Sequence, residues 1–129
     1  MYTLIIIDMQ PGFYAANDNR TIQACRAEIM LAKRAGASII IVEFGGGIEY
    51  GLGNTHESLI ELMDGYPNAF LATKYGNDGS EEIKEIILQH NLCREHIRVC
   101  GVNTSYCVFE TVSGLEQCIN PPRLEVVAE

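Results

Sequence analysis

Three residues of different chemistry stand where a short chain could bring them together: Asp8, Lys74 and Cys107. Asp8 closes the apolar run Thr3–Asp8, Lys74 closes Ala69–Lys74, and Cys107 falls in the first turn of the helical stretch Thr104–Cys118. A cysteine near a helix N-terminus feels the partial positive charge of unpaired N–H groups, which lowers its pKa. A neighbouring ammonium favours the nucleophilic thiolate further. A carboxylate within reach can take the thiol proton and return it to a leaving amine. Backbone N–H groups around Asn103 and Cys107 could donate to the oxyanion of an attacked carbonyl. Together these groups describe acyl transfer through a thioester. On this reading an alkylating reagent modifies Cys107 before the other thiols, with an apparent pKa well below that of a free thiol.

The elements that must position these groups follow from the pattern of apolar residues. Thr3–Asp8, Ser38–Phe44, Ala69–Lys74, His96–Val102 and Arg123–Ala128 have strand length and β-branched content. Asn19–Ala35, Thr55–Asp64, Ser80–His90 and Thr104–Cys118 have helical pattern. Gly36 is placed to end the first helix, and Thr55 to cap the second. Residues Gly45–Asn54 contain five glycines and read as a loop. Uninterrupted β-branched runs imply strands covered on both faces, and helices between them imply right-handed crossovers. The expected fold is α/β: a Rossmann-like, three-layer α/β/α arrangement around a mostly parallel sheet of five strands. One domain over residues 1–129 is expected. In such sheets ligands bind beyond the carboxyl ends of the strands. Asp8, Glu43, Lys74 and the Gly101-Val102-Asn103 segment all lie at that edge. The chain stops at the end of its last strand, where a covering helix is expected. Truncation, a minimal fold, or completion by a partner would each account for that.

Each residue also has a bland reading. A lone Asp after a first strand is often a turn former, and a lone Lys at a strand end is usually solvated. A lone Cys in a helix is usually a small core residue. Taken singly, the bland readings are the better ones; only the shared position at one sheet edge sets the functional reading beside them. Composition narrows the classes. The chain has 129 residues, 47% of them apolar, and a formal net charge of −8. That acidity argues against a nucleic-acid or anionic-membrane partner. Its five cysteines are an odd number, none in CxxC spacing, and the N-terminal stretch lacks the basic start and small-residue cleavage site of a signal peptide. Reduced thiols and a cytoplasmic location are expected.

Three segments carry a resemblance. Leu4-Ile5-Ile6-Ile7-Asp8-Met9-Gln10-Pro11-Gly12-Phe13, Thr73-Lys74-Tyr75-Gly76-Asn77-Asp78 and Cys100-Gly101-Val102-Asn103-Thr104-Ser105-Tyr106-Cys107-Val108 match, in order, the motifs of the isochorismatase-like cysteine hydrolases, which include nicotinamidases. Thr111 follows at a familiar place. The resemblance implies that Asp8 is general base and acid, that Lys74 stabilises the thiolate, and that Cys107 attacks the carbonyl. It implies a non-proline cis peptide at Val102–Asn103, with the N–H groups of Asn103 and Cys107 forming the oxyanion hole. Gln10 and Phe13 would line the substrate pocket, although Phe13 could equally be core. Homo-oligomers are usual in the family.

The departures are specific. Nicotinamidases hold a metal through an Asp-x-His pair after the second strand and another His. Here the pair is replaced by Glu43-Phe44-Gly45. His56 reads as a helix-start residue, and His90 and His96 flank the wrong edge of the sheet. No metal and no cofactor are expected. The lysine motif continues as Asn77-Asp78-Gly79-Ser80 in place of the usual Ser-Ala-Phe, and the family's sixth strand is lacking. The Gly45–Gly53 loop is a candidate lid. The leading expectation is a metal-independent hydrolase of a C–N bond in a small amide. Its alternatives are a vinyl-ether hydrolase of the isochorismatase type and a non-catalytic binding module that keeps the fold. A flavodoxin-like or receiver-type domain would need a cluster of acids where Asp8 stands alone.

Overall fold

The structure is a computed structural model that describes residues 1–45 and 51–128. Its strands are β1 (Thr3–Ile7), β2 (Ser38–Phe44), β3 (Ala69–Lys74), β4 (His96–Gly101) and β5 (Arg123–Ala128). Its helices are α1 (Asn19–Ala35), α2 (Glu57–Ile60), α3 (Ser80–Gln89) and α4 (Phe109–Cys118). The sheet runs β3-β2-β1-β4-β5, and every pairing is parallel. The expected α/β architecture with a parallel sheet is therefore the observed one. No helix among the described residues is long and apolar enough to cross a membrane.

Side-chain alternation along β1 and β2 builds two cores. Leu4, Ile6, Ile39 and Ile41 face one side, where Cys25, Ile29 and Ala32 of α1 and Leu59 of α2 cover them. Ile5, Ile7, Ile40 and Val42 face the other, against Ile83 and Ile87 of α3 and Leu115 of α4. Each isoleucine so buried contributes about 1.5–3 kcal/mol. That is why β1 reads as an unbroken apolar run instead of an alternating one. The residues of α1 that point inward, Thr21, Cys25, Glu28, Ile29 and Ala32, recur at helical spacing. Asp18 caps this helix through Arg20 N, and Gly36 ends it at φ 70°.

Two helices differ from their sequence expectation. The second shrinks to the single turn of α2 followed by a 3₁₀ turn, Glu61–Met63. His56 takes the cap position, because the Thr55 hydroxyl donates to Glu43 Oε2 at 2.8 Å instead of turning back on the helix. The fourth arrives in two parts, a π-helical turn over Thr104–Val108 and then α4. The loop expected over residues 45–54, with its reading as a lid, lies partly outside the described residues.

The chain leaves the sheet under tight backbone constraint. Gly101, paired with Ile7, has φ 120°, and a Cβ there would overlap the carbonyl oxygen of Ile7. Val102 N then donates to that same oxygen at 3.0 Å. Gly101→Ala is expected to destabilise the fold by about 3 kcal/mol or more, combining forbidden φ with backbone overlap. Gly76→Ala, where an added Cβ meets nothing, is the control expected to stay close to the parent. Urea unfolding of the two variants measures the difference.

Candidate active site

Strand ends deliver the charged pair. β1 finishes at Ile7, and Asp8 turns out of the sheet in the left-handed region at φ 54°, with its N–H still bound to Val42 O at 3.0 Å. For a non-glycine residue that conformation costs about 1 kcal/mol, least for Asp and Asn. Lys74 is the last residue of β3, opposite Phe44 of β2. Its Nζ lies 3.0 Å from Asp8 Oδ2, donates to Gly76 O at 2.8 Å, and sits 4.5 Å above the Phe44 ring centroid. Both side chains of the pair are completely buried. Lysine is almost never buried to that degree without a function or a partner. The stem of Lys74 also fills the space a side chain at residue 79 would need, which makes Gly79 part of the cradle.

The charge on Asp8 is under-compensated. Among the described residues neither carboxylate oxygen accepts a well-directed hydrogen bond, so the ion pair and the facing Cys107 thiol are what hold it. Burial pushes the carboxyl above its ordinary value, and Lys74 and Cys107 pull it back only in part. The thiol does not follow its sequence expectation. Burial and the facing Asp8 carboxylate push Cys107 up to about 11, outweighing Lys74. The resting group is thus a protonated thiol at neutral pH. The helix N-terminus argument fails here because Cys107 is only 4% exposed and has a carboxylate facing it.

Cys107 sits in the π-helical turn. Tyr106 N and Val108 N both donate to Asn103 O at 3.1 Å, and Phe109 N reaches Thr104 O across the wider turn. The amides of Asn103 and Cys107 are outside this pair of bonds. The Val102–Asn103 peptide is cis, as the resemblance implied. Single π turns inside helices recur at functional sites. From α4, the buried Thr111 hydroxyl accepts from Gly79 N at 3.0 Å and donates to Asn77 O at 3.2 Å. It pins the segment after Lys74 against the helix that carries Cys107.

The remaining sequence candidates separate. Gln10 is fully buried and its amide is spent on backbone: Nε2 donates to Gly53 O at 2.8 Å and Phe44 O at 3.4 Å, and Oε1 accepts from Phe44 N at 2.8 Å. It staples the loop after β1 to the end of β2. Phe13 lines an apolar pocket of about 400 Å³ with Phe44, Leu52 and Tyr75, its ring edge-on to Phe44 at 6.2 Å. Phe44 and Tyr75 were not singled out in the sequence although Phe44 ends β2 and Tyr75 follows the last residue of β3. A second pocket of about 530 Å³ borders Asn103 and Thr104. A groove of about 630 Å³ between β3 and α2 is lined by none of Asp8, Lys74 and Cys107.

The nicotinamidase type of metal pair does not fit these residues. The carboxylate of Glu43 accepts from Thr55 N and Oγ1, both at 2.8 Å, and Gly45 offers no donor atom. His96 is paired with Glu125 at 2.8 Å on the neighbouring strand. Among the described residues no three His, Cys, Asp or Glu side chains are grouped to hold a metal.

The fold has counterparts among known proteins. A family model described as the isochorismatase domain matches residues 2–116. The nicotinamidase of Staphylococcus aureus superposes with a TM-score of 0.74 at 15% identity, over 90% of this chain and 74% of that one. The N-carbamoylsarcosine amidase of Thermoplasma acidophilum gives 0.74 at 14% identity, over 99% and 84%. An isochorismatase from Pseudomonas putida gives 0.72 at 17%, over 90% and 63%. At these identities the likeness is one of fold. No curated protein matches the chain significantly.

The buried pair makes an energetic prediction. Removing either charge leaves the other uncompensated, so Asp8→Asn and Lys74→Met are each expected to cost about 3–5 kcal/mol. The double variant is expected to recover most of that loss, and chemical unfolding around the full cycle measures the coupling.

Proposed function

The chain belongs to the isochorismatase family, and from that premise we propose that it is a hydrolase cleaving the C–N bond of a small amide through a thioester on Cys107. The observation that carries this reading is the buried Asp8–Lys74 ion pair with the protonated Cys107 thiol facing it. Without a base beside it, a thiol with a pKa near 11 is a poor nucleophile at neutral pH.

Asp8 takes the Sγ proton as the sulfur bonds to the carbonyl carbon. The carbonyl oxygen gains the electron pair and is received by the N–H groups of Asn103 and Cys107. The pair returns, the C–N bond breaks, and Asp8 delivers its proton to the departing amine. Water then adds to the thioester while Asp8 again accepts a proton, and the thiol leaves with that proton as the acid is released. Lys74 stays charged throughout. It holds the Asp8 carboxylate in line and offsets the negative charge that passes between carboxylate and sulfur. Phe13, Phe44, Leu52 and Tyr75 support a substrate with a flat, apolar portion, held by ring contacts instead of hydrogen bonds. Acting on its own residues, the site needs no metal for any of these steps.

Cys107→Ala is expected to lower kcat on a hydrolysed amide by about 10⁴-fold or more. Acid quench of the parent during turnover, followed by intact mass measurement, is expected to show an acyl adduct on Cys107. Full turnover by the alanine variant would sink the thioester reading. The pH profile gives a second check. Asp8 must be ionised to act as base, and its folded carboxyl lies above its ordinary value. The acid limb of kcat/KM is therefore expected above the usual carboxylate range, with activity rising as pH increases through it. An acid limb at or below that range would remove Asp8 from the role.

A further inference from the structure

Between Lys74 and Cys107 lies a side chain that the reaction above does not use. Asn77 Oδ1 is the acceptor for the Cys107 thiol, at 3.7 Å from Sγ. Its Nδ2 donates to Glu110 Oε2 at 3.0 Å, from the first turn of α4. Its main-chain carbonyl is fixed by Thr111, and the preceding carbonyl, Gly76 O, by Lys74 Nζ. Asn77 is therefore anchored on both sides of its own Cα before its amide is considered.

The carboxylate of Glu110 determines which way that amide points. An ionised carboxylate only accepts hydrogen bonds, so the NH₂ group must face Glu110 and the oxygen must face the sulfur. An amide oxygen is not a base at physiological pH. It can accept a hydrogen bond from S–H, and its negative dipole end disfavours S⁻.

We propose that Asn77, oriented by Glu110, is a positioning residue that holds the Cys107 thiol protonated and at rest until its S–H turns from the Asn77 oxygen to Asp8. The inference rests on Cys107 being the nucleophile of the proposed hydrolase. The charged groups facing the thiol are Asp8 from the end of β1 and Lys74 from the end of β3. Glu110 of α4 reaches it through Asn77. Burial and Asp8 already raise the thiol, and Asn77 acts in the same direction. The thiol is thereby kept from reacting with adventitious electrophiles until a substrate carbonyl and the Asp8 base are both in place. This segment is where the chain reads Asn77-Asp78-Gly79-Ser80.

The test needs no substrate. Alkylation of Cys107 in the full chain is followed by peptide mass mapping, from neutral pH upward, with a small and a bulky uncharged reagent. Below the thiol midpoint the rate follows the thiolate fraction. Asn77→Ala is expected to speed alkylation about three- to tenfold at neutral pH, the size of one neutral hydrogen bond. Glu110→Gln frees the amide to turn, because glutamine both donates and accepts; it is expected to act in the same direction by less. Asn77→Asp is expected to slow alkylation below the parent by placing a second carboxylate at the sulfur. Both reagents should report the same factor. Asn77 and Glu110 are exposed, so these variants should fold, and Glu110→Gln is isosteric. Profiles of Asn77→Ala and Glu110→Gln that superimpose on the parent overturn the proposal. So does a change seen only with the bulky reagent, which reports access. Loss of the thioester reading would show instead as turnover retained in Cys107→Ala, so the two ideas can fail separately.

Discussion

An ammonium and a carboxylate 3.0 Å apart, both shut away from water, constrain the rest of this molecule. Burying such a pair is costly, and its mutual attraction returns that cost only when the geometry is held firmly. The sheet order supplies the geometry. β1 and β3 flank β2, so side chains leaving their carboxyl ends can meet across the end of the strand between them. Asp8 reaches the meeting point by leaving β1 in a left-handed turn, and Lys74 by extending from β3 over the Phe44 ring. Apolar residues would fill this space at lower cost. A pair kept here, with a carboxylate lacking well-directed donors, is the kind of buried charge that marks a candidate site.

Much of this was legible in the sequence because strand ends are strongly punctuated. The runs ending at Ile7-Asp8, Phe44 and Lys74 stop where β-branched residues stop, and parallel strands put their carboxyl ends on one edge. The end of α1 was marked by Gly36, a local signal, whereas the Asp18 cap at its start emerged only from the structure. The second helix was misread because Thr55 has two possible uses. Capping a helix and binding a neighbouring carboxylate look alike in sequence, and only the approach of Glu43 decides between them. Gln10 was ambiguous for the same reason. A glutamine just past a strand end can face a ligand or a backbone, and here three backbone contacts hold its amide. Phe44 carried no motif and Tyr75 stood in the lysine motif with no role of its own, so their ring pocket could emerge only from the packing.

The thiol shows where local reasoning ran out. A helix N-terminus and a lysine each stabilise a thiolate, by amounts that hold at partly exposed sites. At Cys107 both are present, but desolvation disfavours any charge, and the nearest charge has the wrong sign. The order of magnitude favours burial: removing an ion from water costs several kcal/mol, while a helix terminus contributes about 0.3–1 kcal/mol. The positive charge of Lys74 is largely taken by Asp8. The proton therefore rests on sulfur, and the carboxyl above its ordinary value is suited to take it briefly and give it back.

Holding this arrangement in so small a sheet falls to individual side chains. Gln10 joins the loop after β1 to the end of β2, Glu43 takes both Thr55 donors after the glycine-rich segment, and Thr111 joins the segment after β3 to α4. Each links a connection at the carboxyl edge to a neighbouring element across at least twelve residues of sequence. Such connections have no ladder of their own and open easily. Were they free to open, water would reach Asp8, the local dielectric would rise, and the upward shifts of both carboxyl and thiol would shrink. The staples thus act on the chemistry through solvent exclusion. The upward shifts of Asp8 and Cys107 depend on hydrogen bonds that touch neither residue.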